Sequence, residues 1–298
     1  MGDYAIMVET LSSYPTNRNR GTLYNLQGTG ALVTGAGGEK GIGRAIAMRL
    51  AQEGADVIVN DIHAGSTTAD GWGGMAQVVR EIEALGRRSL GLVADVGDAN
   101  QVQTMVDQAL AHFGQIDILV NNAGARAGQD RVPVVELEEE DWDRVQRINS
   151  KGVFLCCRAV ARAMIAAERG GRVINISSTA GKIGVARYAA YCASKFAVIG
   201  LTQSLAHELA PHAINVNAIC PSLIASERLD DLAAALAPAN LSQEEHRTLM
   251  VQRAANLSPL GRMAEVDDIA AMAAFLASSE AAYLTGLSIS VAGGAQMH

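Results

Sequence analysis

Short apolar runs alternate with longer amphipathic stretches through most of the chain. Seven of the runs are rich in Val and Ile and show no alternation of apolar and polar positions, which is typical of strands buried on both faces of a sheet. Between them, apolar residues recur at the spacing of helices. The predicted strands are 31–34, 57–60, 89–94, 116–121, 172–177, 214–218 and 287–291, and the predicted helices are 42–53, 75–85, 99–113, 142–167, 189–209 and 266–276.

This alternation of strands and helices predicts a Rossmann-type α/β fold, in which helices cover both faces of a doubly wound, seven-stranded parallel sheet. We expect residues 29–298 to form a single domain with a flap at about 223–257. Residues 1–28 are polar and aperiodic and are predicted to be an N-terminal extension. Ligands bind beyond the carboxyl ends of the strands in such a sheet, so we expect the chemistry there.

Composition narrows the class of protein. The 298 residues carry a net charge of −7, which argues against a nucleic-acid partner because phosphate binding needs a basic face. No window reaches the ~20 apolar residues of a membrane span, and the first 27 residues do not have the pattern of a secretory signal. The four cysteines form no CxxC pair, so we expect reduced, packing thiols in a cytoplasmic protein.

A glycine-rich turn follows the first predicted strand and opens the first helix. Glycines there permit a tight turn and a close approach to a pyrophosphate, which the N–H groups at the helix start would bind. A flexible loop without a ligand is the alternative. The expected contacts to a dinucleotide are Gly35, Gly37, Gly41, Ile42 and Gly43.

The second predicted strand is followed by Asp61, about 20 residues beyond the turn. An acidic residue there accepts hydrogen bonds from the adenosine ribose and repels a 2′-phosphate. Asp61 therefore favours NAD(H) over NADP(H), with a solvated strand-end carboxylate as the alternative. Lys40 and Arg44 lie near enough in sequence to reach a 2′-phosphate, which leaves the choice of cofactor open to test.

Tyr191 and Lys195 are four positions apart in a predicted helix, so their side chains share one face. A tyrosine hydroxyl ordinarily titrates near ~10, and a neighbouring ammonium favours its deprotonated form. The pair could therefore exchange protons near neutral pH. Taken alone, the same spacing also fits a pair on a solvated helix face.

Together these motifs resemble the short-chain dehydrogenase/reductase family from about residue 30 to residue 294. Several widely spaced motifs in the family's order make the resemblance more specific than any one of them. In chain order they are Thr34-Gly35 with Gly41-Ile42-Gly43, Asp95-Val96, Asn121-Asn122-Ala123-Gly124, Asn149, Ser178, Tyr191-Cys192-Ala193-Ser194-Lys195, and Pro221-Ser222 with Ser226.

The resemblance implies catalytic roles. Tyr191 would be the general acid in reduction and the general base in oxidation, while Lys195 would hold the nicotinamide ribose and tune Tyr191. Ser178 would bond the substrate oxygen, with Ser177 as the alternative. Asn149 matches the position that orders a water relay from Lys195, and a packing amide in a helix bend is the alternative.

Further cofactor contacts follow from the same resemblance. They are Asp95 and Val96 at the adenine ring, Asn121, Ala123 and Gly124 beneath its ribose, Pro221 and Ile224 at the nicotinamide, and Ser226 at its carboxamide. The glycine turn is two residues longer than is usual in the family, a length also found in related enoyl reductases. Those enzymes place tyrosine and lysine further apart, so carbonyl chemistry is favoured here.

The predicted function is that of an NAD(H)-dependent oxidoreductase that interconverts a secondary alcohol or sugar hydroxyl and a carbonyl. The substrate could be a sugar, a polyol or another hydroxy compound. Arg126, Arg131 and Arg187 flank the expected pocket, and our hypothesis is that one or two of them bind an anionic group on the substrate, with Arg126 and Arg187 as the first candidates. Solvated loop arginines or intersubunit ion pairs are the alternative.

Two other functions fit the same fold. One is reduction of a 3-oxoacyl thioester, and the other is a non-catalytic NAD-binding or scaffold role, for which Ser178, Tyr191 and Lys195 would not be needed together. No residue cluster has metal-ligand spacing, so His63 and His207 are predicted to be surface residues. The resemblance implies a homo-oligomer, a tetramer or a dimer, and we expect neither a membrane nor a nucleic acid as partner.

Overall fold

The computed structural model describes residues 23–65, 71–238 and 240–297. Seven parallel strands form the central sheet, and two short strands pair separately. The central strands are β1 (Gly30–Val33), β2 (Asp56–Asp61), β3 (Ser89–Val93), β4 (Ile118–Asn121), β5 (Gly171–Ile176), β6 (Ile214–Pro221) and β9 (Ser288–Val291), and the separate pair is β7 (Ile224–Ala225) with β8 (Ala264–Glu265).

Nine α-helices lie in the described residues. They are α1 (Ile42–Gln52), α2 (Gly74–Ala84), α3 (Ala99–Phe113), α4 (Glu139–Gln146), α5 (Gly152–Ala167), α6 (Ala189–Leu209), α7 (Arg228–Leu236), α8 (Gln243–Leu257) and α9 (Val266–Ala277). The strand order is β3-β2-β1-β4-β5-β6-β9. Successive strands are therefore added to one side of β1 up to β3 and to its other side from β4 onward, and the switch point lies between β1 and β4. A cleft forms at such a switch point, beyond the carboxyl ends of the strands. The predicted Rossmann-type fold is confirmed.

The sheet is buried on both faces. In β1, Ala31 and Val33 pack into a core formed with α1, α2 and α9, whereas Leu32 packs into a second core formed with α3, α5 and α6. Residues Val57 and Ile58 of β2 divide in the same way. Apolar side chains are therefore favoured at successive positions of the central strands, which explains their unalternated sequence.

The predicted extension over residues 1–28 is wrong at its end. Leu26 is buried, with 2% exposure, and belongs to the core that contains α1 and α9. Its backbone N–H donates to the carbonyl of Glu53 over 2.9 Å, and the Tyr24 ring lies 6.2 Å from that of Phe275. A short segment that docks through so few side chains leaves no periodic pattern to detect. Residues 1–22 lie outside the described part of the chain.

The predicted helix over residues 142–167 is present; it begins at Glu139 and contains a π-helical insertion. After α4, five residues, Arg147–Lys151, form a π-helical turn before α5 begins. Asn149 lies within this turn and is fully buried. A π-helical insertion is often found at a functional site because it redirects side chains and frees backbone groups.

Candidate active site

The glycine-rich turn packs directly against the end of β4. Gly35 has a positive φ of 63°, and a Cβ added there would lie 2.7 Å from Cα of Ala123. A Cβ at Gly43 would lie 2.4 Å from the carbonyl oxygen of Gly35. Only glycine fits either position. Gly41 caps α1 without a side-chain hydrogen bond, so the first amides of α1 face a cradle of backbone suited to a pyrophosphate.

Two polar residues hold this turn in place. Asn122 Nδ2 donates to the carbonyls of Thr34 and Gly35, each over 2.8 Å. Thr34 Oγ1 accepts from the backbone N–H groups of Asn122 and Ala123 at 3.0 and 3.1 Å. Sequence reasoning assigned no role to the Thr34 and Asn122 side chains, although both lie within the motifs on which the resemblance rests.

Asp61 faces the glycine turn as its position predicts. Its Oδ2 accepts from the backbone N–H of Gly37 over 2.8 Å, which aims the carboxylate at the side of the cleft beside β2. Arg44 is engaged elsewhere, since its guanidinium lies 2.8 Å from Glu81 and 5.2 Å from the centre of the Trp72 ring. Lys40 is exposed. Of the two cations that could reach a 2′-phosphate, Arg44 is therefore engaged by Glu81 and Trp72, and Lys40 lies exposed on the turn.

Two of the predicted cofactor contacts have partners within the protein. Asp95 pairs with Arg147 Nη1 over 2.6 Å at the start of the π-helical turn. Asn121 is buried, and its Nδ2 donates to Asn175 Oδ1 over 2.8 Å. The Asn121 side chain therefore joins β4 to β5, which leaves its backbone to meet any ligand in the cleft.

The remaining predicted cofactor contacts lie on the walls of the cleft or beside it. Val96 and Ile224 are buried, with 6% exposure each, and Pro221 ends β6. Ala123 and Gly124 are half-buried at the end of β4, and Ser226 is half-buried between β7 and α7. The structure thus gathers the loops after β1, β2, β3, β4 and β6 along one edge of the sheet.

Ser178 follows the end of β5, and Tyr191 and Lys195 lie one turn apart at the start of α6. Ser178 is half-buried after β5, where its Oγ accepts from the backbone N–H of Ala180 over 3.1 Å. Ser177 is buried and its hydroxyl donates to the carbonyl of Lys195 over 2.9 Å, so Ser178 is the serine placed to meet a ligand. Lys195 Nζ lies 5.8 Å from the centre of the Tyr191 ring.

The Lys195 ammonium is nearly sealed from water. The residue is 5% exposed, and its Nζ donates to the carbonyl of Ile176 over 2.8 Å. Burial, reinforced by the positive charge of Arg228, lowers the pKa of Lys195 from 10.5 to about 8. A group that titrates so near neutrality can both hold and release a proton under physiological conditions.

The side chain of Asn149 is used for packing. Its Oδ1 accepts from the backbone N–H of Ala125 over 2.7 Å, and its Nδ2 donates to Ser194 Oγ over 3.0 Å. The amide thereby ties the π-helical turn to α6 and to the loop after β4. The packing alternative describes this side chain, so any relay would have to use the backbone of the π-helical turn.

The three arginines differ in their surroundings. Arg126 is exposed and pairs with Asp231 of α7 over 3.0 Å, and the exposed Arg187 donates from Nε to the carbonyl of Arg131 over 3.0 Å. Arg131 is buried, with 4% exposure, and pairs with Asp130. The alternative of a solvated arginine is therefore wrong for Arg131.

Two flap residues that sequence reasoning did not single out lie over the cleft. A Cβ added at Gly38 would lie 1.9 Å from Oε1 of Glu227, so this carboxylate rests against the glycine turn. Arg228 Nη2 donates to the carbonyl of Gly124 over 2.8 Å. Both contacts join residues far apart in the chain, so no local sequence pattern predicts them.

Other chemistry finds little support in the described residues. No group of His, Cys, Asp and Glu there could hold a metal ion, and His63 and His207 are exposed. The four cysteines are free and buried, and burial raises the pKa of the Cys157 thiol to about 12. None of the helices in these ranges has the length and apolarity of a membrane span.

Comparison with known proteins agrees with the fold. Residues 29–237 match the family model of the short chain dehydrogenases. The chain is 41% identical over 267 residues to the 3-oxoacyl-acyl-carrier-protein reductase FabG of Staphylococcus aureus, covering 90% of this chain and 98% of that one. It is 38% identical over 272 residues to the 2-dehydro-3-deoxy-D-gluconate 5-dehydrogenase of Dickeya dadantii, covering 91% and 96%.

Solved structures of similar sequence share the architecture. An NAD+-bound xylitol dehydrogenase superposes with a TM-score of 0.78 at 32% identity, covering 90% of this chain and 99% of that one. The matched region includes the glycine turn, Ser178, Tyr191 and Lys195. The chain belongs to the short-chain dehydrogenase family of oxidoreductases.

Proposed function

We propose that the protein is an NAD(H)-dependent dehydrogenase that interconverts a secondary alcohol or sugar hydroxyl and a carbonyl. The observation that carries the proposal is the buried Lys195 ammonium 5.8 Å from the centre of the Tyr191 ring, with Ser178 after β5 and the glycine turn after β1 at the carboxyl ends of the same sheet. A site with a phenol, a buried ammonium and a hydroxyl beside a dinucleotide cradle suits proton exchange coupled to hydride transfer.

The cradle residues fit a bound dinucleotide. The backbone of the glycine turn and the first amides of α1 would hold the pyrophosphate, Asp61 the adenosine ribose and Lys195 the nicotinamide ribose. When bound, the nicotinamide accepts or donates the hydride. Asp95, Val96, Asn121, Ala123, Gly124, Pro221, Ile224 and Ser226 would complete the contacts through backbone or side chain.

The proton moves at Tyr191. In oxidation, the Tyr191 oxygen takes the proton of the substrate hydroxyl as the carbon loses its hydride, and the carbonyl forms; reduction reverses both transfers. Ser178 donates a hydrogen bond to the substrate oxygen and stabilises the charge that develops there. The Lys195 ammonium would then release a proton to solvent through water held at the backbone of Asn149, and would take up in its place the proton on Tyr191.

The proposed cofactor is NAD(H). Asp61 supports this because a 2′-phosphate at the adenosine ribose would meet its carboxylate, while Arg44 is paired with Glu81. At an effective dielectric of ~20, the repulsion between the Asp61 carboxylate and a 2′-phosphate in contact with it amounts to several kcal/mol.

A sugar, a polyol or another hydroxy compound is the proposed substrate class, since relatives of this chain include a gluconate-type dehydrogenase and a xylitol dehydrogenase. Arg126 and Arg187 are the candidates for an anionic group on it. Reduction of a 3-oxoacyl thioester remains the second candidate, favoured by the 41% identity to such a reductase. A non-catalytic scaffold would not need the buried charge of Lys195.

We further propose a cytoplasmic homotetramer or dimer. The exposed Phe154 on α5 and Phe196 on α6, 42% and 46% exposed, support an interface built from these two helices.

The test is to measure nicotinamide absorbance with NAD+ or NADP+ and a panel of sugars, polyols, hydroxy acids, 3-hydroxyacyl thioesters and cyclic alcohols. The proposal expects turnover with NAD+ on a sugar or polyol. Turnover on the thioester alone would favour the second candidate. Tight NAD+ binding without turnover of any alcohol would favour the scaffold.

A further inference from the structure

Arg131 is a buried cation in contact with the candidate acid–base residue. The residue is 4% exposed, and its guanidinium carbon lies 4.7 Å from the centre of the Tyr191 ring. It lies 4.5 Å from the Tyr188 ring as well, and the two rings meet edge to face at 6.1 Å. Arg131 therefore fills the space between two tyrosines of one helix end, where a lysine or a leucine could not present a flat charged group to both.

A buried network fixes the guanidinium there. Arg131 pairs with Asp130, which is itself 1% exposed. Asp130 also lies 3.2 Å from Arg144 of α4, and it accepts from the backbone N–H of Gly128 over 3.0 Å. Two arginines thus share one carboxylate, and these three groups carry one net positive charge. Arg144 has a second, outer partner in Asp141 at 3.1 Å.

The burial of Arg131 carries a desolvation penalty that a purely structural role would not require. Among the described residues, the buried Nε of Arg131 has no hydrogen-bond partner. Burying a charged pair carries a desolvation penalty, and apolar residues of similar volume in its place are often as stable or more so. Loop anchoring alone would be met at lower cost by an apolar side chain.

Charged groups face the Tyr191 ring from three directions. Lys195 lies on α6, Arg131 with its partner Asp130 lies on the loop after β4, and Arg228 lies on α7 within electrostatic range of Tyr191, with Asp231 and Asp61 as acidic neighbours. Tyr188 is the other titratable neighbour, and burial raises its pKa, so it stays neutral. The Arg131 guanidinium carbon lies closer to the centre of the Tyr191 ring, at 4.7 Å, than Lys195 Nζ does, at 5.8 Å.

We propose that Arg131 is a positioning residue for Tyr191: its guanidinium holds the phenol ring in place and stabilises the negative charge of the deprotonated hydroxyl. This rests on the proposed function, because it concerns the proton transfer at Tyr191. A cation over an aromatic face binds more strongly once the ring is anionic, so Arg131 favours the form that accepts the substrate proton.

The test compares Arg131→Met, Arg131→Lys and Arg144→Gln. Arg144→Gln is the matched control, because it also removes an arginine from Asp130 but one that lies over neither tyrosine ring. The first readout is the ultraviolet pH titration of tyrosinate in the NAD+ complex, taken as the difference from the same variant carrying Tyr191→Phe. The second is the pH profile of kcat/KM for oxidation.

Arg131→Met is expected to move both pH midpoints upward by about one unit, a tenfold loss of kcat/KM on the acidic side that corresponds to about 1.4 kcal/mol. Activity should recover at high pH. Arg131→Lys, which keeps the charge, should show less than half of the shift, and Arg144→Gln should lower the melting temperature but leave both midpoints unchanged.

Midpoints in Arg131→Met equal to those of the wild type would overturn the proposal, as would equal shifts in Arg131→Met and Arg144→Gln. If Arg131→Met does not fold, an unshifted Arg131→Lys profile together with a shifted Arg144→Gln profile would also overturn it. Because the tyrosinate titration needs no substrate, it still decides the role of Arg131 if no alcohol is turned over, an outcome that would count against the proposed function alone.

Discussion

Replacing Lys195 by methionine should make the apo protein more stable while abolishing its activity. Methionine keeps the length of the side chain but removes a charge that the fold buries at 5% exposure, with only a carbonyl as its hydrogen-bond partner. The fall in the Lys195 pKa from 10.5 to about 8, at 1.36 kcal/mol per pH unit, means that the folded state carries a charging cost of about 3 kcal/mol. Losing the donor to Ile176 returns about 1 kcal/mol of that.

The net gain near neutral pH is thus about 2 kcal/mol, or a rise of about 3 °C in the melting temperature. Its pH dependence has a definite sign. Because the folded pKa lies below the unfolded one, the cost is fully present below pH 8 and disappears as the pH rises from about 8 to 10.5, where both states lose the proton.

The assay is the melting temperature of apo wild type, Lys195→Met and Tyr191→Phe near neutral pH and at about pH 10. Tyr191→Phe is the control, since it should lose activity without relieving any buried charge. Two results would refute the reasoning: a Lys195→Met protein no more stable than wild type near neutrality, or a gain of the same size at the alkaline pH.

Three further predictions follow from other contacts. Asp61→Asn keeps an acceptor for the Gly37 amide but removes the charge, so kcat/KM for NADP+ should rise about 100-fold relative to NAD+, as about 3 kcal/mol of repulsion is lost; an unchanged ratio would show that Asp61 does not select the cofactor. Glu227→Gln removes a carboxylate from the glycine turn and should lower the Kd for NADH by about fivefold, or ~1 kcal/mol, measured by fluorescence titration; weaker binding would mean that Glu227 helps to hold the cofactor. Phe154→Asp with Phe196→Asp should reduce the mass measured by light scattering, and an unchanged mass would place the interface elsewhere.

Burial and strand order explain why most of the fold could be predicted. A sheet covered on both faces favours apolar residues at successive strand positions, as Ala31, Leu32 and Val33 illustrate, so the runs stand out in the sequence. Tyr191 and Lys195 could be paired because helical geometry is local. The preference for Ser178 came from the family's spacing, and the hydrogen bond from Ser177 to the carbonyl of Lys195 agrees with it.

The parts that could not be predicted depend on contacts between distant segments. Leu26 is buried by α1 and α9, which a polar and aperiodic stretch does not reveal. Arg131 stands in a polar loop, and nothing in the neighbouring sequence distinguishes it from an exposed arginine. It is buried because Asp130, Arg144 and the two tyrosines at the start of α6 come together around it. Glu227 reaches the glycine turn only because the flap folds back over β4.

The central claim is that hydride leaves a carbinol carbon while Tyr191 takes the hydroxyl proton. Its most direct test is a reaction of the enzyme with NAD+ and the best alcohol of the panel, deuterated at the carbinol carbon, with wild type and Tyr191→Phe in parallel. The account predicts one deuterium in the NADH formed by the wild type, measured by mass spectrometry, and a loss of at least about 100-fold in its rate of formation in Tyr191→Phe. NADH without deuterium, or a Tyr191→Phe enzyme as fast as the wild type, would contradict it.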